Sequence, residues 1–265
     1  MLGISVRGVG FVLFVCLFIH LSSAVFAQSP ITIEQLLAKP SSWQISSSFD
    51  YRSGMSESWH LERQTSWSAG VRYGLTPRFE INGRLQGQQF SQDIPGQRIR
   101  EQSQALSVGS NWLLKPESAT PALLLEARAV LRSSGPAGPR HLPSVQVAIT
   151  SYKSIDPVVL SLSASVNVQR EYRLGSVEVS PGSSWRLEPG VNFAINPRVT
   201  LFGGVAIERR NSTQFGAAVI AGPSERLALS GGMALAVARQ HSVFVSGDVA
   251  SDRSGGMSLQ WFYEF

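Results

Sequence analysis

Cysteine is nearly missing from this chain: Cys16 is the only one in 265 residues. A disulfide framework is therefore excluded, and so is a thiolate zinc site. Histidine is also scarce, with four in all, at positions 20, 60, 141 and 241, and no two of them at metal-ligand spacing. No metal centre and no cofactor is expected. Charged residues make up only 15% of the sequence. The net charge of +5 is dispersed, with no basic run interleaved with aromatics, so nucleic acid is not an expected partner. Beyond the amino terminus no apolar run reaches the length of a membrane helix, which removes a helical span. The glycines are scattered and form no phosphate-binding loop.

What is present begins with an address. Arg7 is followed by an apolar run from Val9 to Leu21, then Ser22, Ser23, Ala24 and the sequence Val25-Phe26-Ala27. A cationic start, an apolar middle and small residues before Gln28 read as a signal peptide over 1–27, cleaved on export. The run is short of the roughly 18–20 residues of a membrane anchor. Cys16 lies within it rather than at the cleavage point, which argues against a lipoprotein. Residues 28–41 form a separate segment. Thr32 and Gln35 make a capping box, Ile33, Leu36 and Leu37 an apolar stripe, and Pro40 a stop, so a helix of about two turns is expected. Such a helix is too short to stand alone and must dock. Two placements are open: a plug in the lumen of the following domain, with Ile33, Leu36 and Leu37 buried, or a cover over its periplasmic mouth.

From residue 42 to 265 the apolar period is two. The last ten residues show it most clearly, because Met257, Leu259, Trp261, Tyr263 and Phe265 occupy every second position. Ser258, Gln260 and Glu264 fall on the other face, with Phe262 the one aromatic among them. A soluble edge strand of this kind would invite aggregation. A strand with lipid on one face and a polar lumen on the other requires the pattern. Similar alternations recur with short turns at Leu75–Arg78, Ser154–Pro157 and Asn196–Arg198, and with longer polar segments at Ser91–Gln102, Ser133–Pro143 and Arg170–Ser183. Short and long connections in alternation describe an up-and-down antiparallel transmembrane β-barrel. The near-neutral mean hydropathy, +0.04, is what cancelling faces produce.

Counting alternations gives thirteen strands, with Trp43–Tyr51 and the crowded region after Phe215 as the places of miscount. Both termini on one side require an even number, and at roughly 20 residues per strand the mature length suits twelve. Twelve strands are expected. The faces assign Arg72, Glu80, Arg84, Glu126, Arg128, Arg186 and Glu188 to the lumen, either paired with one another or lining a channel.

The stretch Tyr73-Gly74-Leu75-Thr76-Pro77-Arg78-Phe79-Glu80-Ile81, with its echoes Asn196–Leu201 and Ser224–Leu229, resembles a group of outer-membrane transporters named after the meta pathway of phenol degradation. It is also similar to their relatives that export functional-amyloid subunits, and Thr32–Leu37 resembles the leader of that branch. The exporters' longer amino-terminal coiled coil has no counterpart in this sequence, so their trimerisation and gating do not carry over. The resemblance implies a channel of the bacterial outer membrane, passing a small solute, hydrophobic in character or not, or an unfolded polypeptide; a gate formed by the amino-terminal helix is expected only if that helix docks as the plug.

Catalysis is not expected. A lipid-modifying barrel enzyme needs a nucleophile with a base in reach, and no nucleophile motif surrounds His60, His141 or His241. A closed-lumen anchor or adhesin, binding through Ser91–Gln102 and Arg170–Ser183, is the alternative. Expected partners are outer-membrane lipid, lipopolysaccharide and the barrel-insertion machinery, which would read Met257, Leu259, Trp261, Tyr263 and Phe265. Neither the transported substrate nor the oligomeric state follows from the sequence.

Overall fold

The computed structural model describes residues 37–55, 61–94, 97–135, 138–174, 176–238 and 240–265. The expected signal peptide, most of the expected helix, and two of its three apolar residues, Ile33 and Leu36, lie outside the described residues. Twelve antiparallel strands close into one barrel: β1 (Trp43–Met55), β2 (Leu61–Thr76), β3 (Phe79–Ile94), β4 (Gln97–Lys115), β5 (Ala122–Ser134), β6 (Arg140–Ile155), β7 (Val158–Gln169), β10 (Ser184–Asn196), β11 (Val199–Arg210), β14 (Ser224–Ala238), β15 (His241–Ala250) and β16 (Gly255–Glu264). β1 pairs with β16 from Gln44↔Glu264 to Ser53↔Gly255, which closes the ring.

Four short strands, β8 (Tyr172–Leu174), β9 (Val177–Ser180), β12 (Thr213–Phe215) and β13 (Ala218–Ala221), form a second sheet in the order β13-β12-β9-β8. This is where the thirteen-strand count goes astray. The alternation Phe215, Ala217, Val219, Ala221 is broken by Gly216 in the left-handed region (φ 61°). The pieces of 3 and 4 residues on either side are well under the roughly 9–11 needed to cross a bilayer. The segment Ser91–Gln102 is also more regular than expected, with β3 and β4 running through it to a hairpin at their tips.

The faces are inverted relative to a soluble protein. Leu85, Leu106, Val147, Leu162, Leu201 and Leu229 are exposed on the outside, while Gln44, Ser68, Asn192, Thr200 and Gln260 are buried within. Trp43, Trp112 and Phe265 lie on the rim that carries both ends of the barrel, and Trp67 and Trp185 toward the other rim. This arrangement is a lipid-facing band between aromatic girdles. The short turns share the rim with the barrel's ends. Thr76 Oγ1 accepts from the Arg78 N–H (3.2 Å) and Asn196 Oδ1 from the Arg198 N–H (2.8 Å), side-chain turns that fix each hairpin. That rim is periplasmic, and the longer connections and the second sheet are on the outer side.

Candidate functional site: the barrel lumen

Alternation decides which side chains face inward, and inter-strand register decides which of them meet. Across β1 to β5 one inward row runs Gln44, Arg72, Asn82, Gly109, Arg128. The next row toward the periplasm carries Glu80, Asn111 and Glu126, and the next row outward Ser46, Gly70, Arg84 and Ser107. All seven charged residues expected inside face the lumen, and six are in this wall or beside its cavity: Arg72, Arg84, Glu126, Arg128 and Glu188 line a hollow of about 230 Å3, with Glu80 beneath it. Arg186 lines a second hollow of about 140 Å3, which shares Glu188, Ser230, Ser246 and Ser258 with the first.

Several of these charges are paired. Glu80 is fully buried, accepting from Asn111 Nδ2 (2.6 Å) and Arg72 Nη1 (3.5 Å). Arg72 also donates through Nε to Gln44 Oε1 (2.7 Å). Arg186 Nε donates to Glu188 Oε2 (3.0 Å), and Arg186 lies 3.9 Å from Glu208. Around the second hollow Arg52 and Arg226 both reach Asp248, at 3.0 and 3.3 Å, and Asp50 accepts from the hydroxyls of Ser48, Ser66 and Ser258. Such pairing is what low-dielectric surroundings demand of ionised groups.

The wall formed by β11 and β14 to β16 is of another kind. Phe202, Phe244 and Phe262 face the same hollow among Gly204, Ser230 and Ser246. Phe244 and Phe262 meet edge to face with centroids 5.0 Å apart, and Arg72 lies 5.8 Å over the Phe262 ring. None of these phenyls, nor Asp50, Arg52, Arg226 and Asp248, is among the charged residues singled out from sequence. The signal was there, since each falls on the polar parity of its strand.

The periplasmic mouth holds part of the chain itself. Leu37 packs against Ala122, Leu124 and Tyr152, an inward-facing apolar cluster joined by Leu113 and Val159. Ala38 is buried and its N–H donates to Glu80 Oε2 (2.5 Å), and Lys39 pairs with Glu264 (2.9 Å). Pro40 bridges to Gly74, whose carbonyl accepts from the Ser41 N–H (2.8 Å). A side chain at Gly74 would put its Cβ 2.6 Å from the Ala38 carbonyl oxygen, so only glycine leaves room for the segment. Of the expected apolar stripe, Leu37 is thus placed inside the barrel. Residues 37 to 39 are not helical.

At the outer mouth other parts of the chain are buried. Phe90, Gln92 and Glu101 on the β3–β4 overhang are buried, and so are Val179 and Thr213 in the second sheet. Arg140 stacks on Tyr172 at 4.5 Å, and burial, outweighing that cation, raises the Tyr172 hydroxyl above its ordinary range. In the β15–β16 loop, burial opposes ionisation of Asp252. Ser254 and Arg226 overcome it and hold the carboxyl below the usual range.

His241 opens β15 on the outer face, where its Nδ1 accepts from Trp261 Nε1 (3.2 Å) and its ring meets Tyr263 at 4.7 Å, a girdle contact. Among the described residues no group of three or more His, Cys, Asp or Glu side chains is placed to hold a metal ion.

A closed twelve-stranded barrel with an apolar exterior, aromatic girdles and a charged interior is an outer-membrane β-barrel of the kind that channels and porins share. No family model matches the chain, and neither does any curated protein. Among solved structures, an outer membrane channel from Pseudomonas putida F1 is similar, with TM-score 0.67 at 10% identity over 89% of this chain and 100% of that one. The transport unit of the autotransporter AIDA-I from Escherichia coli gives TM-score 0.62 at 11% identity, covering 95% and 97%. The translocator domain of autotransporter NalP from Neisseria meningitidis gives 0.56 at 12%, covering 84% and 87%. At such identities the likeness is one of fold.

Proposed function

We propose that this barrel is an outer-membrane channel for a small polar or amphiphilic solute, narrowed at its periplasmic mouth by the segment that precedes β1. The observation that carries the reading is the hollow of about 230 Å3 at mid-lumen, lined by charged and polar side chains and floored by the Leu37–Leu124 cluster. A barrel serving only as an anchor has no need of a charged interior around a hollow, because apolar packing is the less costly way to fill one. A hollow of this size suits a compact solute better than an unfolded polypeptide.

Removing residues 28–40 and recording single channels in planar bilayers tests it. The full mature chain should give small, intermittent conductance and the truncated chain a clear rise in open probability. Silence from both would mean that the lumen is sealed by its own side chains. The outer loops, with their buried sheet, would then be the functional part, as in an adhesin.

A further inference from the structure

The two walls of the mid-lumen hollow differ in chemistry, and the difference specifies a ligand. On the β2–β5 side three guanidinium groups, of Arg72, Arg84 and Arg128, converge on a surface kept open by small neighbours. Gly109 separates Asn82 from Arg128, and Gly70 and Ser107 flank Arg84. A side chain at Gly109 would put its Cβ 2.8 Å from Asn82 Oδ1 and 2.8 Å from the Ala127 carbonyl oxygen, so this floor between the arginines cannot be filled. The carboxylates on the same wall are two, Glu80 and Glu126, both one row nearer the periplasm. Glu80 is sealed from the hollow by Ala38, Asn111 and Arg72; of the two carboxylates that line the hollow, Glu126 lies beside Arg128 on β5 and Glu188 is held by Arg186. The wall thus presents one more cation than carboxylates. On the other side the phenyl rings of Phe202, Phe244 and Phe262 offer an apolar surface with no charge of its own.

We propose that this hollow binds a small amphiphilic monoanion. Its carboxylate, or an equivalent single-charged head, sits on Arg84 and Arg128, and its apolar body lies against Phe244, Phe202 and Phe262. Guanidinium recognises a planar carboxylate through paired N–H donors. The inference rests on the channel reading for its biological sense, but not for its test, because binding is measured without transport.

The experiment uses the mature chain in lipid nanodiscs and equilibrium dialysis against radiolabelled hexanoate, with empty nanodiscs subtracted. Acetate (the same head without the body) and hexylammonium (the same body with the opposite charge) are the matched probes. Hexanoate should bind about tenfold or more tighter than either, a difference of about 1.4 kcal/mol. Arg84→Gln with Arg128→Gln should abolish the preference over hexylammonium, and Phe244→Ser the preference over acetate. Arg84→Lys, which keeps the charge, should retain the first preference, and this separates a lost site from a misfolded barrel. Heat-modifiable migration checks the fold of each variant. Equal retention of hexanoate and hexylammonium by the wild type, or a preference that survives the double substitution, overturns the proposal. If hexanoate is bound while bilayers stay silent, the site stands and the channel reading falls. If the barrel conducts and hexanoate is not bound, the channel reading stands and the site falls.

Discussion

The two mouths of this barrel are closed by different means. At the periplasmic end four residues of the chain, Leu37 to Pro40, sit in an opening that the strands leave for them, held by one bond to Glu80, one ion pair to Glu264 and a bridge at Gly74. At the outer end closure belongs to the strands. β4 has 19 residues, about 60 Å of extended chain at roughly 3.3 Å per residue, twice the depth of the hydrocarbon core. Glu101 is carried on that excess length, and Phe90 and Gln92 on the facing part of β3. A few side-chain bonds yield more readily than a ladder of backbone hydrogen bonds. The comparison teaches that the two ends differ in what would have to break for either to open.

Five changes, two of them a matched pair, probe that contrast and the barrel around it. Deleting Phe265 should have the largest effect, since it removes the N–H that donates to the Trp43 carbonyl (2.9 Å) and the ring set edge-on to Tyr263 (4.7 Å). Most of the inserted barrel should be lost in outer-membrane fractions while export across the inner membrane is unchanged. Unaltered surface levels would show that the last strand is ordinary packing. Gly74→Val comes next. The new side chain occupies the path of Ala38 and Lys39, so single-channel recordings should approach those of the chain lacking residues 28–40.

Leu124→Ala and Val179→Ala make a matched pair of buried truncations, one at each mouth. Leu124→Ala should cost about 2–4 kcal/mol in urea unfolding and raise open probability. Val179→Ala should leave the conductance as it is, and an equal rise from both would erase the distinction between the mouths. The smallest effect concerns the turn at Glu117. Desolvation pushes this carboxyl up, but the Ser154 N–H and hydroxyl, both at 2.9 Å, together with Lys153 hold it below its ordinary range. A folded-state value below the unfolded one stabilises at pH above the unfolded value, about 4.3, and that stability is lost as pH falls through the folded value. The melting temperature of Glu117→Gln should therefore lie slightly below wild type at pH 6 and converge with it near pH 3.

The membrane-facing side was legible in the sequence because a strand has only two faces. Met257, Leu259, Trp261, Tyr263 and Phe265 lie outward as their spacing requires, and Arg72, Glu80 and Arg84 inward. Strand number was less legible, since Phe215 to Ala221 alternates like a span and only its length shows otherwise. The lumen was half legible. Parity places Phe244 and Arg128 inside, but whether they face one hollow depends on register between distant strands, which no local pattern encodes. The inward phenyls Phe202, Phe244 and Phe262 carry no charge to mark them as lumen-facing, so only their parity points to them. Contacts such as Ala38 with Glu80, 42 residues apart, arise from closure of the whole ring.

The seam between β1 and β16 also bears on how the barrel is made. Eleven of the twelve strand junctions join neighbours in the ring across hairpin turns or the two longer outer excursions, and each can form as the chain emerges. The register of the seam cannot. Ser258 reaches Asp50 across 208 residues of sequence, and Gln44 waits for Glu264, next to the last residue of the chain. Topology of this sort concentrates the entropic cost of long-range pairing in one late event. Until that event β1 presents a bare edge, and a four-residue stretch of largely serine, Ser46-Ser47-Ser48 after Ile45, is a poor template for aggregation. The three serines make the middle of that edge less apolar during the interval before the last strand arrives.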